Sequence, residues 1–163
     1  MRIRFLLASA AVLAFAAPAW AQSTPVSFSP EFQASLEEDY GVREGEVLRT
    51  AVTEAISREL THRGVSAESA NIDVTIVDAA PNRPTMQQLF DRPSLDGTSI
   101  STGGAELRAA IHLPGGSTLE VTHSRYNHSL ADVVGPAMTW TEARRSIRQF
   151  AVKVADAYVA TSR

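Results

Sequence analysis

Apolar and polar residues alternate most regularly between Ile100 and Asn127. Apolar side chains recur at every second position from Ala105 to Leu113, and again at Leu119 and Val121. A period of two is typical of a strand with one buried face, and the Pro-Gly-Gly-Ser turn between the two runs marks a reversal of the chain. The pattern therefore predicts a long antiparallel β-hairpin.

The apolar positions also predict how the two strands of the hairpin pair. Placing Leu113 opposite Leu119 brings Ile111 opposite Val121 and leaves a three-residue loop, Gly115 to Ser117, which is a common hairpin length. A slip of one residue would turn apolar residues away from the buried face. We therefore expect this register.

The same register makes predictions about polar residues. His112 falls opposite Glu120 on the outer face, while His123 and Arg125 follow Val121 inward. Inward polar residues indicate either a bulge near His123 or the end of the buried region, and the pattern leaves both open.

Two longer segments have apolar residues three and four apart, as expected of amphipathic helices. The first runs from Arg43 to Arg63 and ends before Gly64, a residue that readily adopts the left-handed conformation after a helix. The second begins at a predicted capping box, with Thr139 as cap and Glu142 three residues later, and continues to Tyr158.

Four shorter segments complete the pattern. Strands are predicted at Val26 to Phe28 and Asn71 to Ala80, a helical turn or two at Glu31 to Tyr40, and a short helix at Thr85 to Phe90. In the short helix we expect the apolar side chains to turn inward; they are Met86, Leu89 and Phe90.

The order strand, helix, strand, hairpin, helix predicts the fold class. Two helices with one apolar face each need a sheet to pack against. We expect an α+β, two-layer sandwich, with a roughly four-stranded, mainly antiparallel sheet and both long helices on one face. Residues 22–163 are long enough for one such domain.

The first 21 residues have the pattern of an export signal. Two arginines precede an apolar run from Phe5 to Ala17, and Ala19-Trp20-Ala21 is a small-x-small site for signal peptidase. The run is shorter than the roughly 20 residues of a transmembrane helix. We therefore expect a cleaved signal peptide at 1–21 and a chain that begins at Gln22, in the periplasm or outside the cell.

Composition narrows the possible partners. The chain has no cysteine, which excludes disulfides and the lipid anchor of a bacterial lipoprotein. Removing the two signal arginines from the 15 basic residues leaves 13 against 18 acidic residues, a net charge of −5. Nucleic acid and anionic lipid headgroups are therefore not expected as partners, since both require a basic surface.

The sequence contains few motifs typical of catalytic, metal-binding or cofactor-binding sites. The sequence lacks HExxH, paired cysteines, an Asp-rich calcium loop and a phosphate-binding Gly-rich loop, so it predicts no metal and no cofactor. It also lacks the G-x-S-x-G turn of serine hydrolases. A catalytic cluster assembled in space from His123, His128 and Asp132 stays open as an alternative, because triads are defined by geometry.

The segment from Pro81 to Phe90 is the most distinctive candidate for a partner surface. Its prolines restrict the backbone, and arginines lie close to apolar side chains, a combination found at protein interfaces. The candidate residues are Arg83, Met86, Leu89, Phe90 and Arg92. The alternative is that the three apolar residues only cover the edge of the sheet.

Two segments carry a resemblance to known proteins. Residues 77–85, VDAAPNRPT, and 101–105, STGGA, look like segments of uncharacterised exported bacterial proteins. The overall layout resembles the small α+β domains of Gram-negative envelope accessory proteins, such as ABC-type transport auxiliary components. The resemblance implies a docking module and assigns no functional residues.

These observations lead us to expect a periplasmic, non-enzymatic binding or envelope-accessory domain whose partner is an envelope protein. A small periplasmic hydrolase is the alternative. A carrier of a hydrophobic ligand would need a cavity between sheet and helices, which the well-filled apolar stripes do not indicate.

Overall fold

The computed structural model describes residues 24–133 and 137–161, which form a four-stranded sheet with the order β1-β2-β3-β4. The strands are β1 (Val26–Phe28), β2 (Ile72–Ala80), β3 (Gly104–His112) and β4 (Thr118–Tyr126). β1 is parallel to β2, and the other neighbours are antiparallel. The sheet is therefore mixed but mainly antiparallel, and the predicted signal peptide lies outside the described residues.

Helices occupy the connections between the strands. They are α1 (Pro30–Ser35), α2 (Val42–His62), α3 (Met86–Asp91) and α4 (Thr141–Thr161). A π-helical turn, Leu36–Tyr40, lies between α1 and α2, and 3₁₀ turns lie at Ala67–Ser69 and Leu130–Asp132. In the described ranges, no helix has both the length and the apolar character needed to cross a membrane.

The core lies between the sheet and the two long helices. Ile72, Ile76 and Leu107 on the inner face of the sheet are fully buried, as are Leu48 of α2 and Phe150 of α4. The predicted two-layer α+β sandwich with both long helices on one face is confirmed. Gly64 follows α2 with a φ of +75°, as expected of the glycine after a helix.

β1 forms a short, parallel edge of the sheet. Its three residues lie between Pro25 and Pro30, and proline cannot donate a hydrogen bond to a neighbouring strand. The 2.9 Å bond from Val74 N to Pro25 O and the 3.0 Å bond from Ser29 N to Ile76 O continue the pairing at both ends. Parallel pairing is possible because α1 and α2 provide a long crossover to β2.

The hairpin forms, but its register differs by two residues from the prediction. Leu119 pairs with Ile111, not with Leu113, so His112 lies opposite Thr118 and not opposite Glu120. A shift of two residues keeps every side chain on its predicted face, which is why the apolar pattern alone did not distinguish the two registers. His112 instead contacts Asp73 of β2 at 2.9 Å.

The pairing of β3 with β4 is continuous through His123, so the bulge considered there is absent; the irregularity lies in β2, between Ile76 and Asp78. His123 and Arg125 do face inward, where they contact α4 through Lys153 and Glu142 respectively. The inner face of β4 is therefore apolar near the turn and polar further along.

The predicted capping box at the start of α4 is also wrong. The backbone N–H of Glu142 donates to the side-chain oxygen of Asn82, at 2.8 Å, and the Glu142 carboxylate binds Arg125 and Arg145. The helix is thus capped by a residue that is distant in sequence, which local spacing does not reveal.

Candidate functional site

Asn82 joins the two sequence segments 77–85 and 101–105. Its buried side chain accepts the Glu142 N–H and donates to the carbonyl oxygen of Ser101 at 3.2 Å. Gly103 lies so close that a Cβ there would be 2.6 Å from the Asn82 side-chain oxygen. The two segments therefore form one junction that fixes the end of β2, the start of β3 and the first turn of α4.

The polar side of α3 is held against the protein. Thr85 and Gln88 form a capping box, in which the side chain of each accepts the backbone N–H of the other at 3.2 Å. The Gln88 amide then donates to Asp39 in the π-helical turn, at 2.9 Å, and Arg92 pairs with the second oxygen of Asp39. Thr85 and Gln88 are both buried, so α3 is anchored through polar groups.

The apolar side of α3 faces solvent. Met86 is 63 % exposed and Phe90 is 79 % exposed, while Leu89 is half-buried. The prediction that Met86 and Phe90 turn inward is therefore wrong, because Gln88 and Thr85 occupy the inward side. Residues four apart lie on the same side of a helix, so Met86 and Phe90 form one exposed apolar ridge.

A groove continues this ridge onto α2. It has a volume of about 690 Å³ and lies between Met86 and the first turns of α2, where Val42 is 61 % and Val47 is 37 % exposed. We call Met86, Phe90, Val42 and Val47 the α3 surface. Large apolar side chains grouped in this way mark binding sites more often than singly scattered ones do.

A second, smaller pocket, of about 310 Å³, also borders the π-helical turn. Asp39 and Tyr40 line it together with Arg83, Arg92 and the loop at 99–102. Burial, followed by the nearby Asp78 and Asp39 carboxylates, raises the pKa of the Tyr40 hydroxyl, which therefore stays protonated at neutral pH.

The two candidate arginines are engaged by the protein itself. Arg83 donates to the carbonyl oxygens of Ala137, at 2.6 Å, and Gly97, at 2.9 Å, and so ties three loops together. Arg92 pairs with Asp39, as described above. Of the five residues selected from the sequence, the structure brings Met86 and Phe90 together as an exposed pair and uses the two arginines to position the chain around them.

The three residues of the alternative catalytic cluster have separate surroundings. His123 faces α4, with Nδ1 3.0 Å from the Lys153 amine, while His128 is exposed. Asp132 accepts the backbone N–H of Ser129 at 3.1 Å. In the part of the chain that the structure describes, no hydrogen bond joins any two of these three side chains.

His123 has an unusual environment. Burial, and then the positive charge of Lys153, lowers the pKa of His123, and its buried Nε2 atom has no hydrogen-bond partner among the described residues. A neutral imidazole is thus favoured beside the lysine.

Neither metal ligands nor related proteins identify the site. Among the described residues, no group of three His, Asp or Glu side chains is placed to hold a metal ion. Comparison with family models, curated proteins and solved structures gave no match.

The residues that hold the polar side of α3 against the protein were not identified from the sequence. The T-x-x-Q spacing of Thr85 and Gln88 is a capping signal and could have shown that Gln88 is not a solvent-facing residue. Nothing in the local pattern indicated Asp39, 49 residues earlier. Val42 and Val47 were also missed; Val47 matches the apolar spacing of α2 but lies at the edge of its buried stripe.

Proposed function

We propose that this protein is an exported, non-enzymatic binding domain that docks an envelope protein through the α3 surface. The observation that carries the proposal is the inverted amphipathicity of α3, with Gln88 buried and Met86 and Phe90 exposed. Burying one large apolar side chain at an interface contributes about 1.5–3 kcal/mol. Met86 and Phe90 are exposed in the isolated domain, so they do not contribute this free energy to folding. They contribute it when a partner covers them in a complex.

The anchoring of α3 supports a binding role. A helix of six residues is too short to be stable by itself, so its position depends on contacts with the rest of the protein. The capping box, the Gln88–Asp39 hydrogen bond and the Arg92–Asp39 ion pair provide those contacts. A ridge that is already rigid loses less conformational entropy when a partner binds.

The composition of the α3 surface defines the partner's chemistry. Met86 and Phe90 need an apolar, preferably aromatic, counterpart, and the groove beside Met86 is bordered by the charged residues Arg43 and Glu46. An apolar centre with a charged rim is the usual arrangement of a protein–protein interface. The resemblance of the sequence to envelope accessory domains favours an envelope protein as the partner.

The hydrolase alternative has less support. A catalytic triad requires a base that is oriented by a third group, and His123 Nδ1 lies 3.0 Å from the Lys153 amine, a cation. A positively charged neighbour disfavours the imidazolium that such a mechanism needs.

Photo-crosslinking in the native host tests the proposal. A benzoylphenylalanine at Phe90 should yield a discrete product with an envelope protein, whereas the same group at Leu130, which is 51 % exposed, should not. Met86→Glu in the same chain should abolish the product. The isolated partner should then bind Phe90→Ala at least tenfold more weakly than Leu130→Ala, a loss of about 1.4 kcal/mol.

Two results would contradict the proposal. One is the absence of any product at Phe90, and the other is equal yields at Phe90 and Leu130. Fractionation of the host cells, with determination of the amino terminus, tests export separately; the expected product begins at Gln22 and is found in the periplasm or the medium.

A further inference from the structure

The two edges of the sheet differ in how well they are protected. β1 has three residues between two prolines, whereas β4 has nine residues and contains neither proline nor lysine. Within the described residues, no strand pairs with the outer edge of β4. Long, unpaired edges without such protection can add a further strand.

The register shows which backbone groups of β4 are available. Leu113 N donates to Ser117 O at 2.9 Å, and Asn127 N donates to Gly103 O at 3.0 Å. Both pairs continue the β3–β4 register, and hydrogen-bonded pairs recur at every second position of an antiparallel ladder. The N–H and C=O groups of Val121 and His123 therefore point to β3. The backbone groups of the residues between and beside these two point outward. These residues are Glu120, Thr122 and Ser124, and all three are exposed.

Cations line the inner side of this edge. Lys153 of α4 is exposed and lies beside His123, while Arg125 and Arg145 are 29 % and 34 % exposed. Glu142, which is fully buried, is the carboxylate that pairs with both arginines. Three cations against one carboxylate give this side of the edge a net positive charge, although the chain as a whole has a net charge of −3.

We propose that the outer edge of β4 binds an extended peptide segment of a partner protein, and that this segment has acidic residues at alternate positions. Side chains on one face of a strand recur every second residue, so alternate carboxylates would lie beside Lys153 and Arg125. The backbone supplies affinity and the carboxylates supply selectivity. A second copy of this chain is disfavoured, because β4 paired with β4 would place the cations of both copies along one seam.

Peptide binding to the purified protein tests this inference. The probes are two blocked, fluorescent nine-residue peptides, one alternating threonine with glutamate and the other alternating threonine with lysine. At low salt the glutamate peptide should bind at least tenfold more tightly, and Lys153→Glu should reduce that preference severalfold. Added salt should weaken the binding, as expected of partly exposed charges.

Variants at Thr122 separate backbone pairing from charge. Thr122→Pro removes an outward N–H without removing a bond to β3 and should weaken binding at least tenfold, whereas Thr122→Ala keeps the N–H and should bind normally. Hydrogen exchange on the unmodified protein gives a result that does not depend on these variants folding. The amides of Glu120, Thr122 and Ser124 should exchange rapidly alone and slowly with the glutamate peptide, while Val121 and His123 stay protected in both states.

Several results would overturn the inference: equal binding of the two peptides, no added protection at Thr122, or a dimer in sedimentation experiments that Thr122→Pro dissociates. The last result would identify a second copy as the occupant. The edge shares no residue with the α3 surface, so failure of either proposal leaves the other intact.

Discussion

At the scale of single residues, the Asn82 side chain connects the start of α4 to the segment before β3. The loss of its side chain would leave the buried Glu142 N–H without its partner and would remove a hydrogen bond to the carbonyl oxygen of Ser101, an exposed residue. Each buried polar group left unpaired costs about 1–3 kcal/mol. The asparagine therefore accounts for the close association of the two sequence segments around it.

We predict that Asn82→Ala lowers the free energy of unfolding by about 1–3 kcal/mol, the cost of leaving the buried Glu142 N–H unpaired. Urea unfolding followed by circular dichroism measures it. Asn71→Ala is the matched control, since the Asn71 side chain is exposed, and its effect should be below about 0.5 kcal/mol. Equal effects of the two substitutions would show that the Asn82 junction does not contribute to stability.

His123 makes stability depend on pH. Its pKa in the folded protein is lowered by burial and by Lys153, whereas in the unfolded chain it titrates near 6.5. The unfolded state therefore binds more protons between the two pKa values, so stability is complete above pH 6.5 and falls as the pH drops towards the folded-state pKa.

We expect His123→Gln to remove this part of the pH dependence. Urea midpoints at pH 7.5 and pH 5.5 should differ less for His123→Gln than for the unmodified protein. His128→Gln is the control, because His128 is exposed, and it should behave like the unmodified protein. The same pH dependence in all three proteins would exclude His123 as the source.

At the scale of elements, hydrophobic spacing predicted the helices and strands correctly where tertiary contacts do not override the local pattern. The bounds of α2 and β2 differ from their predicted ranges by one residue at each end or less, because their apolar stripes match one continuous core. The hairpin register was wrong by two residues, because both registers bury the same side chains. The orientation of α3 was wrong because it depends on Asp39, a partner that no local pattern reveals.

Anchoring through Gln88 has a measurable consequence. Gln88→Ala removes both the reciprocal cap of Thr85 and the hydrogen bond to Asp39, and should lower the free energy of unfolding by about 1–2 kcal/mol. Gln87→Ala, at the exposed neighbouring position, should have a smaller effect, below about 0.5 kcal/mol. Similar values for the two glutamines would contradict the polar anchoring of α3.

At the scale of the whole molecule, the helices cover one face of the sheet and leave a polar face opposite. Asp73 and Arg108 alternate with buried residues along β2 and β3, and Tyr126 reaches across Gly104 to donate a 2.6 Å hydrogen bond to Asp78. The fold class followed from the sequence because it depends on this alternation. The candidate site did not, because it depends on where a short helix attaches to the completed core.

The α3 surface is therefore the feature on which the functional account depends. Its central claim is that α3 attaches through its polar side and presents Met86 and Phe90 to a partner. The free energy of unfolding of Phe90→Ala in the purified protein tests this most directly. The structure predicts a change within about 0.5 kcal/mol, as for an exposed residue. A loss of about 3–5 kcal/mol, typical of a buried phenylalanine, would show that the ridge packs inward and would contradict the account.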